Sequence, residues 1–158
     1  MTIDLEDIFL RNVKTVYRLC FSYLASEHEA EDATQSVFMK LVAQPRAFQS
    51  TEHEKAWLLR CAANHCKDVL KSARVARAGN MPPDVMDPRA SAHPSAVLQA
   101  VMGLPATHRD CVYLHYYEGY KTDEIAQITS MPPSTVRNRL RDARAMLKAE
   151  LEGDGNDL

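Results

Sequence analysis

The apolar side chains along this chain are spaced as in amphipathic helices. They recur every three or four positions over residues 5–24, 27–43 and 51–77, which is the period of an α-helix with one buried face. No run of β-branched residues alternates with polar residues for long enough to predict a strand. The pattern therefore predicts an all-α fold.

Capping signals and prolines predict where the helices begin and end. Ser26 with Glu29, and Thr51 with Glu54, have the spacing of capping boxes and are expected to begin the second and third helices. Pro45 is expected to follow the end of the second. The predicted inward faces are Val13, Tyr17, Cys20 and Leu24 on the first helix, Ala30, Thr34, Val37, Phe38 and Leu41 on the second, and Leu58, Ala62, His65, Val69 and Ala73 on the third.

The helical period disappears over residues 79–94, which include four prolines. This segment is predicted to be a flexible linker between an N-terminal domain, residues 1–78, and a C-terminal domain, residues 95–151. Residues 152–158 form an acidic tail that is expected to fray. The chain is thus predicted to fold as two small helical domains.

The C-terminal domain has the layout of a helix-turn-helix. A helix is expected over about residues 107–117, a short one begins at Thr122, a tight connection covers residues 129–132, and a longer helix runs from Pro133 to Leu151. Its apolar positions predict a buried seam packed on Ile125 and Ile128. The predicted seam consists of Val136, Leu140, Ala143, Leu147 and Leu151.

Composition predicts a folded, cytoplasmic protein without a metal or cofactor. Hydrophobic residues make up 46% and charged residues 25%, as in soluble globular chains. No apolar run approaches the roughly 18 residues of a membrane helix, and the N-terminus is acidic. The four cysteines lie in apolar helical patterns and are expected to be reduced core thiols. Cys61, His65 and Cys66 are too few ligands for zinc.

The formal net charge of −2 hides two basic segments. Residues 55–77 contain six lysines and arginines against the single acid Asp68, and residues 134–149 contain five against Asp142. At 100° per residue the basic residues of the third helix form an outer ridge. Two local basic surfaces on a weakly acidic body indicate contact with nucleic acid. The ridge consists of Arg60, Asn64, Lys67, Lys71 and Arg74.

The outward side chains of the last helix suit the major groove of a DNA duplex. Arginine pairs with guanine, asparagine pairs with adenine, and hydroxyl groups near a helix N-terminus bind phosphate. A recognition helix enters the groove with its first turns. The alternative is a solvated charged face. The candidate groove-reading residues are Ser134, Thr135, Arg137, Asn138 and Arg141.

Aromatic residues beside the ridge of the third helix indicate binding of single-stranded nucleic acid. Phe48 lies in the preceding loop and Trp57 at the border of the ridge. Bases stack on aromatic rings while the backbone follows the positive charge. Two alternatives remain open: a ridge that serves only solubility, and a Trp57 that belongs to the core.

From about Val13 to Leu151 the chain resembles the extracytoplasmic-function (ECF) sigma factors of the sigma-70 family. The similar segments are Tyr17-Arg-Leu and residues 30–41, 56–70, 119–126 and 133–144. Their order and spacing, including the proline-rich break, are also similar. The resemblance implies a protein that carries core RNA polymerase to a promoter and catalyses nothing itself.

The resemblance also implies roles for individual residues. The second helix would dock on the β′ clamp of core polymerase, with Asp32, Gln35 and Met39 exposed. The loop at Phe48 with Trp57 and the ridge Arg60, Asn64, Lys67 and Lys71 would face the opened minus-ten element. The C-terminal domain would rest on the β flap and read the minus-thirty-five element through Arg137, Asn138 and Arg141. The family usually answers to an anti-sigma factor.

Three other classes of protein compete with this interpretation. A stand-alone helix-turn-helix regulator would use residues 1–78 for dimerisation or effector binding and would footprint DNA without polymerase. A helical protein-interaction module would carry its basic faces incidentally. An enzyme is disfavoured, because the sequence shows no nucleophile with its base and no phosphate-binding glycine loop.

Overall fold

The computed structural model describes residues 4–76 and 96–156. Neither segment contains a strand, which confirms the all-α prediction. The predicted linker, residues 79–94, lies outside the described residues. The helices are α1 Leu5–Leu24, α2 Glu27–Ala43, α3 Thr51–Ala76, α4 Ala96–Met102, α5 Ala106–Val112, α6 Thr122–Thr129 and α7 Pro133–Asn156, and a π-helical turn, Tyr113–Tyr117, extends α5.

Helices α1–α3 form the N-terminal unit, in which α1 packs on both α2 and α3. The helix starts follow from local hydrogen bonds. Asp4 accepts the main-chain N–H groups of Glu6 and Asp7 and caps α1, and Ser26 Oγ accepts the N–H of Glu29 at 3.3 Å and caps α2. The whole predicted inward face of α2 is buried, as expected.

The predicted cap of α3 is wrong. Ser50 rather than Thr51 caps this helix, because Ser50 Oγ accepts the N–H of His53 at 3.1 Å. Glu54 takes no part in a capping box. It is buried and accepts bonds from Arg11 and Asn12, so it joins α3 to α1 instead.

The buried faces of α1 and α3 are rotated from the predicted stripes. Val13 and Tyr17 are only partly buried, and so are His65, Val69 and Ala73. The reason is tertiary: α1 contacts α2, α3 and α5, and α3 contacts α1, α2 and α6, so each helix buries more than one stripe. The most deeply buried residues are Ile8, Asn12, Val16, Leu19, Cys20 and Tyr23 on α1, and Leu58, Leu59, Ala62, Ala63 and Cys66 on α3.

Helices α4–α7 form the C-terminal unit, in which α4, α5 and α6 all pack on α7. The predicted helix over residues 107–117 is present, but its last turn is π-helical, with Glu118 N–H bonded to the carbonyl of Tyr113 at 3.1 Å. Gly119 follows at φ +79°. Only glycine adopts this conformation without strain, so the chain can turn there towards α6.

The helix-turn-helix is formed by α6 and α7. Ser130 ends α6 in the left-handed conformation at φ 58°, and Met131 N–H bonds back to the carbonyl of Ala126. Val136, Leu140 and Ala143 are buried in the predicted seam, with Leu147 and Leu151 partly buried. Helix α7 continues past Leu151 to Asn156, so the expected fraying from residue 152 is not observed there.

The two units pack against each other, α1 against α5 and α3 against α6. Arg109 of α5 is 1% exposed and donates to the carbonyls of Ser22 at 2.6 Å and Tyr23 at 3.0 Å, in the last turn of α1. The negative end of a helix dipole and two main-chain acceptors therefore stabilise a buried guanidinium. Tyr113 adds a bond from its hydroxyl to the carbonyl of Thr15.

Candidate nucleic-acid interface

The predicted groove-reading residues lie together at the start of α7. Ser134, Arg137, Asn138 and Arg141 are exposed, and Thr135 is partly buried. They stand opposite the buried seam of Val136 and Leu140, which holds the helix against α6. The first turns of α7 thus present hydroxyl, amide and guanidinium groups to solvent, while the opposite side of the helix is held in place by its packing on α6. Two other arginines of α7 bind within the unit instead: Arg139 donates to the carbonyl of Thr107 and Arg144 to the hydroxyl of Tyr116.

The ridge on α3 is only partly free. Arg60, Asn64 and Lys71 are exposed, as expected, and so is Arg74. Lys67 is not fully exposed, because α6 packs over it and its ammonium group donates to the carbonyl of Thr129. Burial lowers the pKa of Lys67 from its ordinary value. The expectation that the whole ridge faces solvent is wrong at this residue.

Phe48 and Trp57 form an aromatic cluster beside the ridge. Their ring centroids are 5.6 Å apart, and both side chains are partly exposed. The guanidinium carbon of Arg46 lies 4.8 Å from the centroid of the Trp57 ring. Sequence reasoning missed Arg46, although its position after Pro45 in the same polar loop was a usable signal. The cluster pairs aromatic rings with positive charge, the combination that binds unpaired bases.

A pocket of about 360 Å³ opens next to this cluster. Its wall combines Arg46 and Phe48 with the contact between the exposed Arg11 and the buried Glu54, whose closest atoms are 2.8 Å apart. Burial alone would raise the pKa of Glu54, but hydrogen bonds from Arg11 and Asn12 and the charge of Arg11 hold it below its usual value. The carboxylate therefore stays ionised and fixes the start of α3 against α1.

The predicted polymerase-binding residues lie along an apolar groove between α1 and α2. Gln35 and Met39 line this groove, which measures about 770 Å³, and Asp32 stands one turn away, 3.4 Å from His28. Phe9 is 42% exposed, Met39 58% and Val42 51%. Sequence reasoning missed Phe9 and Val42, because an exposed apolar residue looks like a core residue until the packing is known.

Two buried polar groups meet where α1 and α5 pack. The hydroxyl of Tyr23 and Oδ2 of Asp110 are buried without a hydrogen-bond partner among the described residues. Burial raises the pKa of Asp110 to about 6, although the nearby Tyr23 and the ammonium group of Lys67 act in the opposite direction. Sequence reasoning singled out none of the residues at this contact except Lys67.

All four cysteines are free thiols, three of them buried and Cys61 partly exposed. In the described part of the chain no group of histidine, cysteine and acidic residues is arranged to bind a metal ion. No helix in the same residues is long and apolar enough to cross a membrane.

Two family models match the two units seen here. Residues 8–75 match the model for Sigma-70 region 2, and residues 95–147 match the model for Sigma-70, region 4. Together the two matches cover more than half of the chain. This chain belongs to the sigma-70 family. Sigma factors of this family are regulatory proteins that bind core RNA polymerase and direct it to promoters.

Curated relatives place the chain among the ECF sigma factors. The ECF RNA polymerase sigma factor SigW of Bacillus subtilis is 24% identical over 168 residues, which cover 94% of this chain and 87% of SigW. The sigma factor CarQ of Myxococcus xanthus is 26% identical over 159 residues, which cover 94% of this chain and 89% of CarQ. The protein is an ECF-type sigma factor that directs promoter recognition and transcription initiation, rather than a stand-alone regulator.

Solved structures share its fold. The sigma factor RpoE of Bartonella quintana, crystallised with the anti-sigma factor NepR, has a TM-score of 0.75 at 21% identity, covering 93% of this chain and 96% of RpoE. A chain of the PhyRSL–NepR complex from Sphingomonas sp. Fr1 has a TM-score of 0.67 at 14% identity, covering 93% of this chain and 88% of that one.

Proposed function

We propose that this sigma factor contacts its promoter with two separate surfaces. The start of α7 reads the minus-thirty-five element as duplex, with Arg137 and Asn138 contacting base edges, Arg141 beside them, and Ser134 and Thr135 contacting phosphate. The observation that supports this most is the exposed polar row on α7 over a buried apolar seam. Because the buried side of α7 packs on α6, the exposed side chains are held in fixed positions from which they can contact base edges.

The second surface is the exposed part of the α3 ridge together with Phe48 and Trp57. We infer that it binds the opened minus-ten element, with Arg60, Asn64, Lys67 and Lys71 along the backbone of the strand. The pocket at Phe48 suits a flipped base, since an aromatic wall and the Arg46 guanidinium flank it. Lys67 joins this surface only when α6 leaves α3.

Core polymerase is proposed to bind the α1–α2 groove through Gln35, Met39 and the nearby Asp32, with the β′ clamp as the partner, while the C-terminal unit rests on the β flap. The exposed side chains of Phe9, Met39 and Val42 at the groove support this proposal. Apolar side chains such as these stabilise binding when a partner protein buries them in the core of an interface. We also propose that the chain acts in the cytoplasm, catalyses no reaction and is regulated by an anti-sigma factor.

In vitro transcription on a promoter library, with and without core polymerase, tests this proposal. We expect promoter-specific transcripts only when core enzyme and the sigma factor are both present. The variants Arg137→Ala and Lys71→Ala should each lower transcription from the selected promoters. Wild-type transcription by both variants would contradict the two DNA-binding surfaces while leaving membership of the family intact.

A further inference from the structure

The guanidinium group of Arg11 lies in the wall of the pocket beside Phe48 and is held there by α3. Nε of Arg11 donates to Oε2 of Glu54 at 3.1 Å, and Nη2 donates to Oε1 at 2.8 Å. Asn12 donates to the same Oε2 at 2.8 Å and so fixes the carboxylate further. Because the side chain of Glu54 is only 6% exposed, the guanidinium plane of Arg11 is oriented before any DNA binds.

The pair with Glu54 leaves the outer end of the Arg11 guanidinium unused. It occupies Nε and one N–H of Nη2, and within the described residues Arg11 forms no other hydrogen bond. The side chain is 46% exposed, so Nη1 and the second N–H of Nη2 are accessible from the pocket. These two nitrogen atoms form a planar fork of parallel donors. Such a fork binds two acceptors that lie side by side.

The charges around the pocket favour a base over a phosphate group. Three carboxylates line it, those of Asp4, Asp7 and Glu54, against the guanidinium groups of Arg11 and Arg46. A phosphate group that entered would meet an excess of negative charge, whereas a neutral base would not. The pocket therefore suits a neutral, planar group that offers hydrogen-bond acceptors.

We propose that Arg11 selects the base that enters this pocket, and that the base is guanine or cytosine. The proposal rests on the proposed binding of a flipped minus-ten base at Phe48. Guanine presents O6 and N7 side by side, and cytosine presents N3 and O2, so each offers the two adjacent acceptors that the fork needs. On adenine and thymine each acceptor is flanked by a donor or a carbon atom, so one N–H of the fork stays unpaired.

Binding of holoenzyme to a pre-opened promoter tests the proposal. The promoter is first selected from a library with core polymerase. Its minus-ten element is then placed in a bubble whose non-template strand carries each of the four bases, or an abasic site, at one position at a time. We expect wild-type holoenzyme to prefer guanine or cytosine at one position by about tenfold over adenine and thymine.

Arg11→Ala should reduce this preference to less than about twofold, and so should Arg11→Lys, which keeps the charge but lacks the fork. Two modified bases test the fork itself: 7-deazaguanine lacks N7, and 3-deazacytosine lacks N3. The analogue of whichever base is preferred should bind wild-type holoenzyme no better than adenine does. A preference that survives removal of this acceptor would overturn the proposal.

The abasic promoter separates base reading from a structural role. Because it offers no base, Arg11→Ala holoenzyme should bind it as tightly as wild type does. Weaker binding would show that Arg11 supports the fold or contacts phosphate, and would overturn the proposal. Circular dichroism checks folding, and Arg11→Lys, which keeps a cation beside Glu54, serves if Arg11→Ala does not fold. Lys40→Ala, at an exposed position of α2 outside the pocket, is the control and should leave the base preference unchanged.

A separate arm tests the pocket on which the proposal rests. Phe48→Ala removes the aromatic wall and should abolish the advantage of every base over the abasic site at the selected position. If Phe48→Ala removes a base preference that Arg11→Ala retains, the pocket stands and the role of Arg11 is overturned. If wild-type holoenzyme binds all four bases and the abasic site equally at every minus-ten position, the flipped-base assignment fails and selection by Arg11 fails with it.

Discussion

Two arginines of the C-terminal unit show how surroundings decide the role of a side chain. Arg109 is buried, and its guanidinium donates to carbonyls of α1 and of Leu104, so its charge stabilises the contact between the units. Arg137 is exposed on α7 over the buried seam. Removing a buried side chain that satisfies several carbonyls costs about 1–3 kcal/mol of stability for each acceptor left unpaired, whereas removing an exposed side chain costs little. Arg137 is therefore available for binding at almost no cost to folding.

Arg137→Ala is expected to weaken promoter binding by about 1–3 kcal/mol at one base step and to relax selectivity there. The physical reason is the loss of a bidentate pair with a guanine edge. Arg137→Lys keeps the charge but loses the fork geometry, so it should relax selectivity while retaining non-specific affinity. Binding of polymerase with each variant to promoters substituted one position at a time measures this. An equal loss on every sequence would argue against groove reading.

Asp110 makes the stability of the chain depend on pH. Its pKa is raised from 3.8 to about 6 in the folded chain, so its contribution to stability is fully present below about pH 4 and is lost as the pH rises to about 6. Asp110→Asn removes the buried charge. It should raise the free energy of unfolding at pH 7 by up to about 3 kcal/mol and flatten the profile between pH 4 and 6.

Urea unfolding at several pH values measures the effect of Asp110→Asn. Asp123→Asn, at an exposed position on α6, is the matched control and should leave the profile unchanged. A variant at Asp110 that is less stable than wild type at pH 7 would show that the ionised carboxylate is stabilising after all.

At the scale of the element, α3 combines a fixed start with a free outer face. Glu54 holds the first turns to Arg11 and Asn12 of α1, with closest atoms 2.8 Å apart in both pairs. Farther along the helix, Arg60, Asn64 and Lys71 remain exposed. A long helix fixed at its start holds these polar and positively charged side chains along one face, which suits a phosphate backbone.

Lys71→Ala is expected to lower the salt dependence of promoter binding. Each lost phosphate contact reduces the slope of log K against log salt by about 0.9 on duplex and by about 0.7 on a single strand. Lys148→Ala removes the same charge from an exposed position late on α7 and serves as the control. Binding of polymerase containing each variant, measured between low and moderate salt, gives the slopes. A wild-type slope for Lys71→Ala would remove this residue from the path of the DNA.

At the scale of the whole molecule, the surfaces assigned to polymerase and to DNA lie on different faces of the helices. The apolar groove lies between α1 and α2, whereas the ridge lies on α3 and the reading row on α7. Only the ridge is partly covered by the packing of the two units. The packing of the two units therefore leaves the apolar groove open while it covers Lys67 on the ridge.

Gln35→Ala is expected to reduce capture of core polymerase, because Gln35 lines the groove and is exposed beside Met39. A loss of about 1 kcal/mol, or roughly fivefold in affinity, is typical of a contact at an interface core. Ser36→Ala, at the next exposed position of α2, is the control; its hydroxyl is bonded to the carbonyl of Asp32 and does not line the groove. Co-purification with core enzyme measures the difference, and normal recovery of Gln35→Ala would refute the role.

The sequence by itself determined the elements of this protein. Helical periodicity and the local signals at Ser26, Pro45 and Pro133 are properties of neighbouring residues, and they predicted α1, α2 and α7 with the correct starting residues. The seam of α7 and the exposed reading residues also followed from one helix period. These features depend on contacts within a few residues, which the order of side chains specifies directly.

Only the tertiary structure decided which charges are free. The sequence predicted that Glu54 caps α3, but its carboxylate bonds to α1. It also predicted that Lys67 lies on an exposed ridge, but α6 packs over this residue. Arg109 and Asp110 carried no local signal at all. The contacts of these residues join parts of the chain that are far apart in sequence. The sequence could not predict them, because the period of a single helix does not specify which faces of α3, α5 and α6 pack together.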